Sequence, residues 1–145
     1  MIVKMKKIKE SAILPTKGSV ESAGFDLYVD TDKEETIPAH ETVVFQTNIA
    51  MEIPKGYVGL IYARSGLSTK LGLRPSTCVS VIDSDYRGSV GVPIHNDTNE
   101  DKSIKAHERV AQLIIMKCPE VELVLVDNLD KTERGDNGFG SSGRF

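Results

Sequence analysis

The sequence predicts an all-β domain, a sandwich or barrel of many short strands, on three observations. Several segments alternate apolar and polar residues with a period of two. Turn-forming residues separate those segments at short intervals. Prolines at positions 15, 38, 54, 75, 93 and 119 leave little room for a long helix.

Taken in order, Phe25, Leu27 and Val29 alternate with Asp26, Tyr28 and Asp30. Val43, Phe45, Thr47, Ile49, Met51 and Ile53 then predict one long half-buried strand over 43–53. Pro54-Lys55-Gly56 makes a turn, and a strand resumes over Tyr57–Tyr62. Ser65–Leu71 is the only stretch that reads as helix. Val90, Val92 and Ile94 alternate again and end at the polar run 96–102. Val110–Met116 is almost continuously apolar, which suits a strand buried on both faces. Val121, Leu123 and Leu125 alternate once more. From Arg134 to Phe145 the chain turns glycine-rich, with Gly135, Gly138, Gly140 and Gly143, and reads as a mobile arm. The division is therefore a barrel over 1–133 and an arm over 134–145.

The chain has 145 residues and a mass of 15.9 kDa, with 39% hydrophobic and 27% charged residues, which fits one soluble globular domain. No apolar run approaches the ~18 residues of a membrane span, and the lysine-rich N-terminus lacks the apolar region of a secretory signal. The net charge of −3 argues against a nucleic-acid binder, though not against a local basic pocket for a small anion. Cys78 and Cys118 stand apart from any metal-ligand spacing and read as reduced core cysteines of a cytoplasmic protein. His40, His95 and His107 fit no metal or triad pattern.

Five segments carry candidate chemistry. Arg64-Ser65-Gly66 follows a strand and opens the helix, so an arginine and free amides face one spot, as anion binding requires. Val81-Ile82-Asp83-Ser84-Asp85-Tyr86-Arg87-Gly88 offers a carboxylate to orient water beside a ring that packs on a sugar or base. Gln112, inside the apolar run after Arg109, needs polar partners if buried. Asp26 either faces solvent or acts on a metal-water shell. The arm adds Arg134, hydroxyls and Phe139. Each segment alone also has a plain structural reading: a capped turn, a hairpin loop, a satisfied Gln, a wet-face acid, a loose end.

Together and in this order, Ala23-Gly24-Phe25-Asp26-Leu27, Arg64-Ser65-Gly66-Leu67, Ile82 to Gly88, Glu108 to Leu113, and Arg134-Gly135 through Gly143 resemble the five motifs of the homotrimeric dUTPases, over residues 22–143. The resemblance implies a jelly-roll-like (β-clip) barrel subunit with one short helix. It implies a homotrimer whose sites are shared between subunits, each closed by a neighbour's arm. The reaction implied is hydrolysis of dUTP to dUMP and diphosphate with Mg²⁺ on the triphosphate. Asp83 would be the catalytic acid that steers water, and Tyr86 would pack on the deoxyribose. Main chain from Thr77 through Val81 and Ile82, treated as a hairpin, would read uracil. Arg64, Ser65, the Gly66 amide and Gln112 would hold phosphates. Arg134, Gly140, Ser141 and Ser142 would take the far phosphate, and Phe139 would stack on the base. Asp26 would touch waters on Mg²⁺, itself held mainly by substrate oxygens, and Arg109 would be structural.

Three positions depart from that pattern. Ala63 stands where proline is common, Thr77 where asparagine is common, and Ser80 where glycine is common. The alternatives within the resemblance are a dCTP deaminase or a bifunctional deaminase–hydrolase. A deaminase would need an acid–base set for the pyrimidine C4 that the sequence does not display. A non-catalytic nucleotide-sensing protein is a third reading. The cell interior, of the source organism or of a host, is the expected location.

Overall fold

A computed structural model describes residues 1–138. Eleven strands and one helix are present among them. The strands are β1 (Lys4–Lys7), β2 (Phe25–Tyr28), β3 (Glu35–Ile37), β4 (Thr42–Gln46), β5 (Ile49–Glu52), β6 (Tyr57–Ala63), β7 (Leu73–Pro75), β8 (Ser80–Ile82), β9 (Gly91–Asn96), β10 (Lys102–Ile104) and β11 (Arg109–Lys117). The helix α1 (Ser65–Leu71) covers the residues predicted for it.

Four antiparallel sheets result, with orders β2-β11-β6-β8, β4-β9-β7, β1-β5 and β10-β3. They enclose one core that includes Leu27, Val29, Ile37, Phe45, Ile49, Ile61, Ile94 and Ile104. Each such side chain contributes about 1.5–3 kcal/mol by leaving water. This is the all-β architecture expected from the alternation, in the jelly-roll-like form that the resemblance implies.

The predicted long strand over 43–53 is in fact two. β4 pairs with β9 and β5 pairs with β1. Between them Asn48 turns left-handed, with φ 51°, a conformation that asparagine tolerates better than most residues. Its amide donates to Asp30 Oδ2 at 2.6 Å, and the Thr47 hydroxyl donates to the Val90 carbonyl at 2.8 Å. Phe45, Thr47, Ile49, Met51 and Ile53 remain buried on both sides of the break. The alternation thus survives while the strand changes sheet.

β11 lies between β2 and β6. Val110, Ala111 and Leu113 are buried, but Ile114 and Ile115 are half-buried and Met116 is exposed. The expected burial on both faces therefore holds only for its first half. The alternation at Val121, Leu123 and Leu125 meets no partner strand among the described residues. From Cys118 to Gly138 the chain has no helix or strand and is exposed. A strand needs a neighbour for its main-chain groups, and among the described residues none pairs with 121–125. Both cysteines are exposed, which corrects their assignment to the core. No helix among the described residues is long and apolar enough to cross a membrane.

The segment expected as a hairpin near Thr77 is a corner. β7 is the last strand of one sheet and β8 the last strand of another, and the two do not pair. Residues 76–79 carry the chain from sheet to sheet.

Candidate active site

The register of β2, β11 and β6 assembles the first cluster. Gln112 lies opposite Asp26 on one side and Tyr62 on the other. Asp26 Oδ1 accepts from Arg64 Nε at 2.8 Å, and Oδ2 accepts from Arg109 Nη1 at 2.9 Å. Arg64 Nη1 also donates to the Arg109 carbonyl at 3.1 Å. An irregularity in the β11–β2 ladder between Arg109 and Ala111 shifts the register beside this contact, the kind of break that re-aims a side chain. With a side chain only 14% exposed, Asp26 is a partly buried anion between two guanidiniums. Sequence reasoning placed Asp26 and Arg109 in separate roles. The register of β2 on β11 that joins them is invisible in one dimension.

Gln112 Nε2 donates to the Ala63 carbonyl at 2.9 Å, which orients its amide beside Arg64. Gly24 leaves this amide room: a Cβ there would stand 3.0 Å from Gln112 Oε1. No side chain caps the start of α1, so its first amides, at Ser65 and Gly66, stay open to a ligand. Among the described residues no hydrogen bond engages Arg64 Nη2.

The second cluster sits beyond β8. Asp83 is exposed and its carbonyl accepts from the Tyr86 amide at 3.2 Å, closing a turn. Arg87 Nη1 donates to the carbonyls of Ser84 and Tyr86, at 2.7 and 2.9 Å. Tyr86 folds over Gly88 and donates to the Ser89 carbonyl at 3.0 Å. Any Cβ at Gly88 would meet the phenol oxygen at 2.4 Å, so the ring's position requires glycine. Asp83, Asp85 and Arg87 line a cavity of about 760 Å³ together with Lys55, Tyr57 and Glu120. Val81 is exposed and Ile82 is buried, so Ile82 presents only its main chain. Thr77 is exposed, Ser80 is half-buried, and their hydroxyls hydrogen-bond to each other.

These clusters are not adjacent. β6 and β8 are antiparallel, with Gly59 opposite Ile82 and Ile61 opposite Ser80. Asp83 therefore falls beside Val58, at one end of β6, while Arg64 follows the other end. At ~3.3 Å per residue the six steps from Val58 to Arg64 span roughly 20 Å. One chain does not bring Asp83 and Arg64 to the same phosphate.

Arg134 is exposed and its Nε donates to the Asn137 carbonyl at 3.0 Å. Phe139, Gly140, Ser141 and Ser142, all assigned to the arm's grip on substrate, lie outside the described residues. Among the described residues no three His, Cys, Asp or Glu side chains converge on a common point that could hold a metal ion. Asp26 still has acceptor capacity on each oxygen, since a carboxylate takes about four hydrogen bonds. It fits a contact to metal-bound water rather than direct ligation.

Comparison with known proteins gives one answer. The dUTPase family profile matches residues 10–143. A deoxyuridine 5'-triphosphate nucleotidohydrolase of Yarrowia lipolytica is 44% identical over 145 residues, covering 99% of this chain and 90% of that protein. The enzyme of the same name from Arabidopsis thaliana is 43% identical over 140 residues, covering 97% and 82%. A mutant dUTPase of Staphylococcus bacteriophage 80alpha, solved with dUpNHpp, superposes with a TM-score of 0.89 at 29% identity, covering 98% of each chain. A mutant dUTPase from phage phi11 of S. aureus, solved with a coordinated structural Mg(II) ion, gives 0.79 at 25% identity, covering 88% of this chain and 98% of that one. This chain belongs to the dUTPase family.

Proposed function

We infer that this protein hydrolyses dUTP to dUMP and diphosphate. One observation carries the reading: an exposed carboxylate, Asp83, stands at the end of an edge strand beside the exposed Tyr86 ring, in a chain of the dUTPase family. The Asp83 carboxylate takes a proton from water as its oxygen attacks the α-phosphorus in line. The α-phosphorus–oxygen bond to the β-phosphate breaks, diphosphate departs, and the proton passes to solvent. General base catalysis of this kind is typically worth ~10²–10⁴ in rate. Tyr86 packs on the deoxyribose where a 2′-hydroxyl would need room. Main chain at Thr77, Val81 and Ile82 faces the uracil edge.

Arg64, Ser65, the Gly66 amide and Gln112 hold the phosphates, with Asp26 and Arg109 fixing Arg64 in place. When bound, Mg²⁺ would draw charge from the triphosphate, held mainly by substrate oxygens with several waters kept. Asp26 would meet it through such a water. Arg134, Phe139, Gly140, Ser141 and Ser142 of the arm (134–145) complete the site on the barrel (1–133).

The site forms between copies in a homotrimer. The ~20 Å between Asp83 and Arg64 along β6 is bridged when one copy supplies Asp83 and Tyr86 and another supplies Arg64 and Gln112. The exposed apolar run at Val121, Leu123, Val124, Leu125, Val126 and Leu129 is surface that a second copy would cover. In the cell interior such an enzyme lowers dUTP and supplies dUMP.

Diphosphate release from dUTP, dTTP, dCTP and UTP, each with and without Mg²⁺, tests the reading. Release from dUTP far above the others, and dependent on Mg²⁺, is the expected result. Stoichiometric ammonia from dCTP would replace the hydrolase with a deaminase.

A further inference from the structure

The segment that carries Asp83 has no ladder to hold it. β8 ends at Ile82 and β9 begins at Gly91, so no strand pairing fixes the residues between. Among the described residues no hydrogen bond engages the Asp83 carboxylate. Its direction therefore follows from the backbone of its turn. The bond that closes the turn, from the Tyr86 amide to the Asp83 carbonyl, is 3.2 Å long, at the far end of the ordinary range. The stronger hold comes from Arg87. Its Nη1 reaches back to the Ser84 carbonyl at 2.7 Å and to the Tyr86 carbonyl at 2.9 Å. One cation thus draws the two carbonyls that flank Asp85 onto a single point. Hydrogen bonds from an ionised donor are roughly twice as strong as neutral ones. Arg87 also lines two cavities, the one of about 760 Å³ that Asp83 shares and one of about 320 Å³ beside Lys4 and Lys6. The arginine belongs to a wall common to both.

We propose that Arg87 is a positioning residue for the reaction: by tying the Ser84 and Tyr86 carbonyls together, it holds the Asp83 carboxylate where the attacking water must be met. The inference rests on the hydrolase reading and on Asp83 as its base. Arg87 is exposed, so water competes for its donors and its bonds add little to overall stability. Rate is more sensitive than stability here. A reacting group displaced by about 1 Å can lose ~10²-fold. A turn that loosens without unfolding therefore costs turnover and spares the fold.

The test compares Arg87→Met, which keeps the stem and removes the donors, with Arg87→Lys, which restores an ionised donor. Arg87→Met is also combined with Asp83→Asn. Lys4→Ala, which loses only its exposed pair with Glu52 beside the smaller cavity, is the control. Diphosphate release from dUTP with Mg²⁺ gives kcat and KM, and thermal unfolding is followed in parallel. Arg87→Met is expected to lower kcat by on the order of 10–10²-fold, with KM within about threefold and the unfolding midpoint nearly unchanged. Arg87→Lys should recover most of that loss, and Lys4→Ala should lose nothing. On the Asp83→Asn background Arg87→Met should cost nothing further, because no base is left to position. Should Arg87→Met not fold, Arg87→Gln takes its place in each comparison. A rise in KM at unchanged kcat would make Arg87 a cation for the triphosphate and overturn the proposal. Losses that multiply in the double variant, or an equal loss in Lys4→Ala, would overturn it too. Wild-type protein that released no diphosphate from dUTP would instead overturn the underlying functional reading.

Discussion

The two ends of β6 are built differently. At the Arg64 end the polar groups are cross-linked: Asp26 is bonded by two arginines and Gln112 is bonded to Ala63. At the Asp83 end, Asp83 itself is exposed and the turn is held through main-chain carbonyls gripped by Arg87 and Tyr86. The difference suits the two tasks proposed for them. Cations that hold a polyanion must be fixed before it arrives, so their own ion pairs preorganise them. A carboxylate that takes a proton from water needs an open lone pair, and its turn is made rigid without engaging it.

Asp83→Asn is the sharpest break of this contrast. It keeps the shape and removes the base, so turnover of dUTP should fall by ~10²–10⁴ with little change in thermal unfolding. A rate within twofold of wild type would deny Asp83 its role. Mixing comes next. Asp83→Asn and Arg64→Ala chains, each nearly inactive alone, should regain activity after subunit exchange. In an equal mixture about a quarter of the sites draw both halves intact from symmetric neighbours. No recovery, with mixed assemblies confirmed by mass, would place both ends of β6 in separate sites. Leu125→Lys, at a side chain that is 99% exposed in the single chain, should then shift the assembly toward smaller species by light scattering and lower activity with them. An unchanged oligomer would show that this apolar run is not an intersubunit surface.

Asp26→Asn probes the preorganised end by itself. Two guanidiniums would lose their shared anion, which should lower stability by about 1–3 kcal/mol, read as a shift of the urea midpoint. KM for dUTP should rise as Arg64 loses its hold. A stability loss with KM unchanged would make the cluster purely structural.

How much of this was readable beforehand divides along the same line. Alternation exposed β2 and β9, because burial on one face imprints a period of two; a nearly continuous apolar run exposed β11, the turn at Pro54-Lys55-Gly56 marked the start of β6, and α1 was the one stretch that reads as helix. Three-residue strands such as β7, β8 and β10 are too short to show a period. β1 is exposed at all four positions and has no apolar face to reveal it. The break at Asn48 was hidden because Thr47 and Ile49 continue the period through it. The residues of the two clusters stood out through their order along the chain. Their roughly 20 Å separation along β6 did not, since it follows from the pairing of Gly59 with Ile82. The Thr77–Ser80 contact was hidden for the same reason. Two positions noted separately become one contact only when the corner folds.

The smallest expected effect comes from the same chemistry placed in water. Arg74, on β7 before the corner, makes two hydrogen bonds to Asp97, at 2.7 and 3.0 Å. The arginine beside it holds the Asp97 carboxyl below the usual carboxylate range. A carboxyl whose pKa is lower in the folded state contributes its stability above its unfolded pKa and loses it as pH falls through the folded value. Asp97→Asn should therefore flatten the acid side of the stability–pH curve slightly and change nothing at neutral activity. Unlike the Asp26 cluster, both partners here are well exposed, with side chains 38% and 43% accessible, so water and salt screen the pair. Raising the salt concentration should erase the difference between Asp97→Asn and wild type while leaving the Asp26→Asn deficit in place. If salt erased both equally, the Arg64 end of β6 would be no better shielded than a surface pair, and its claim to be preorganised would fail.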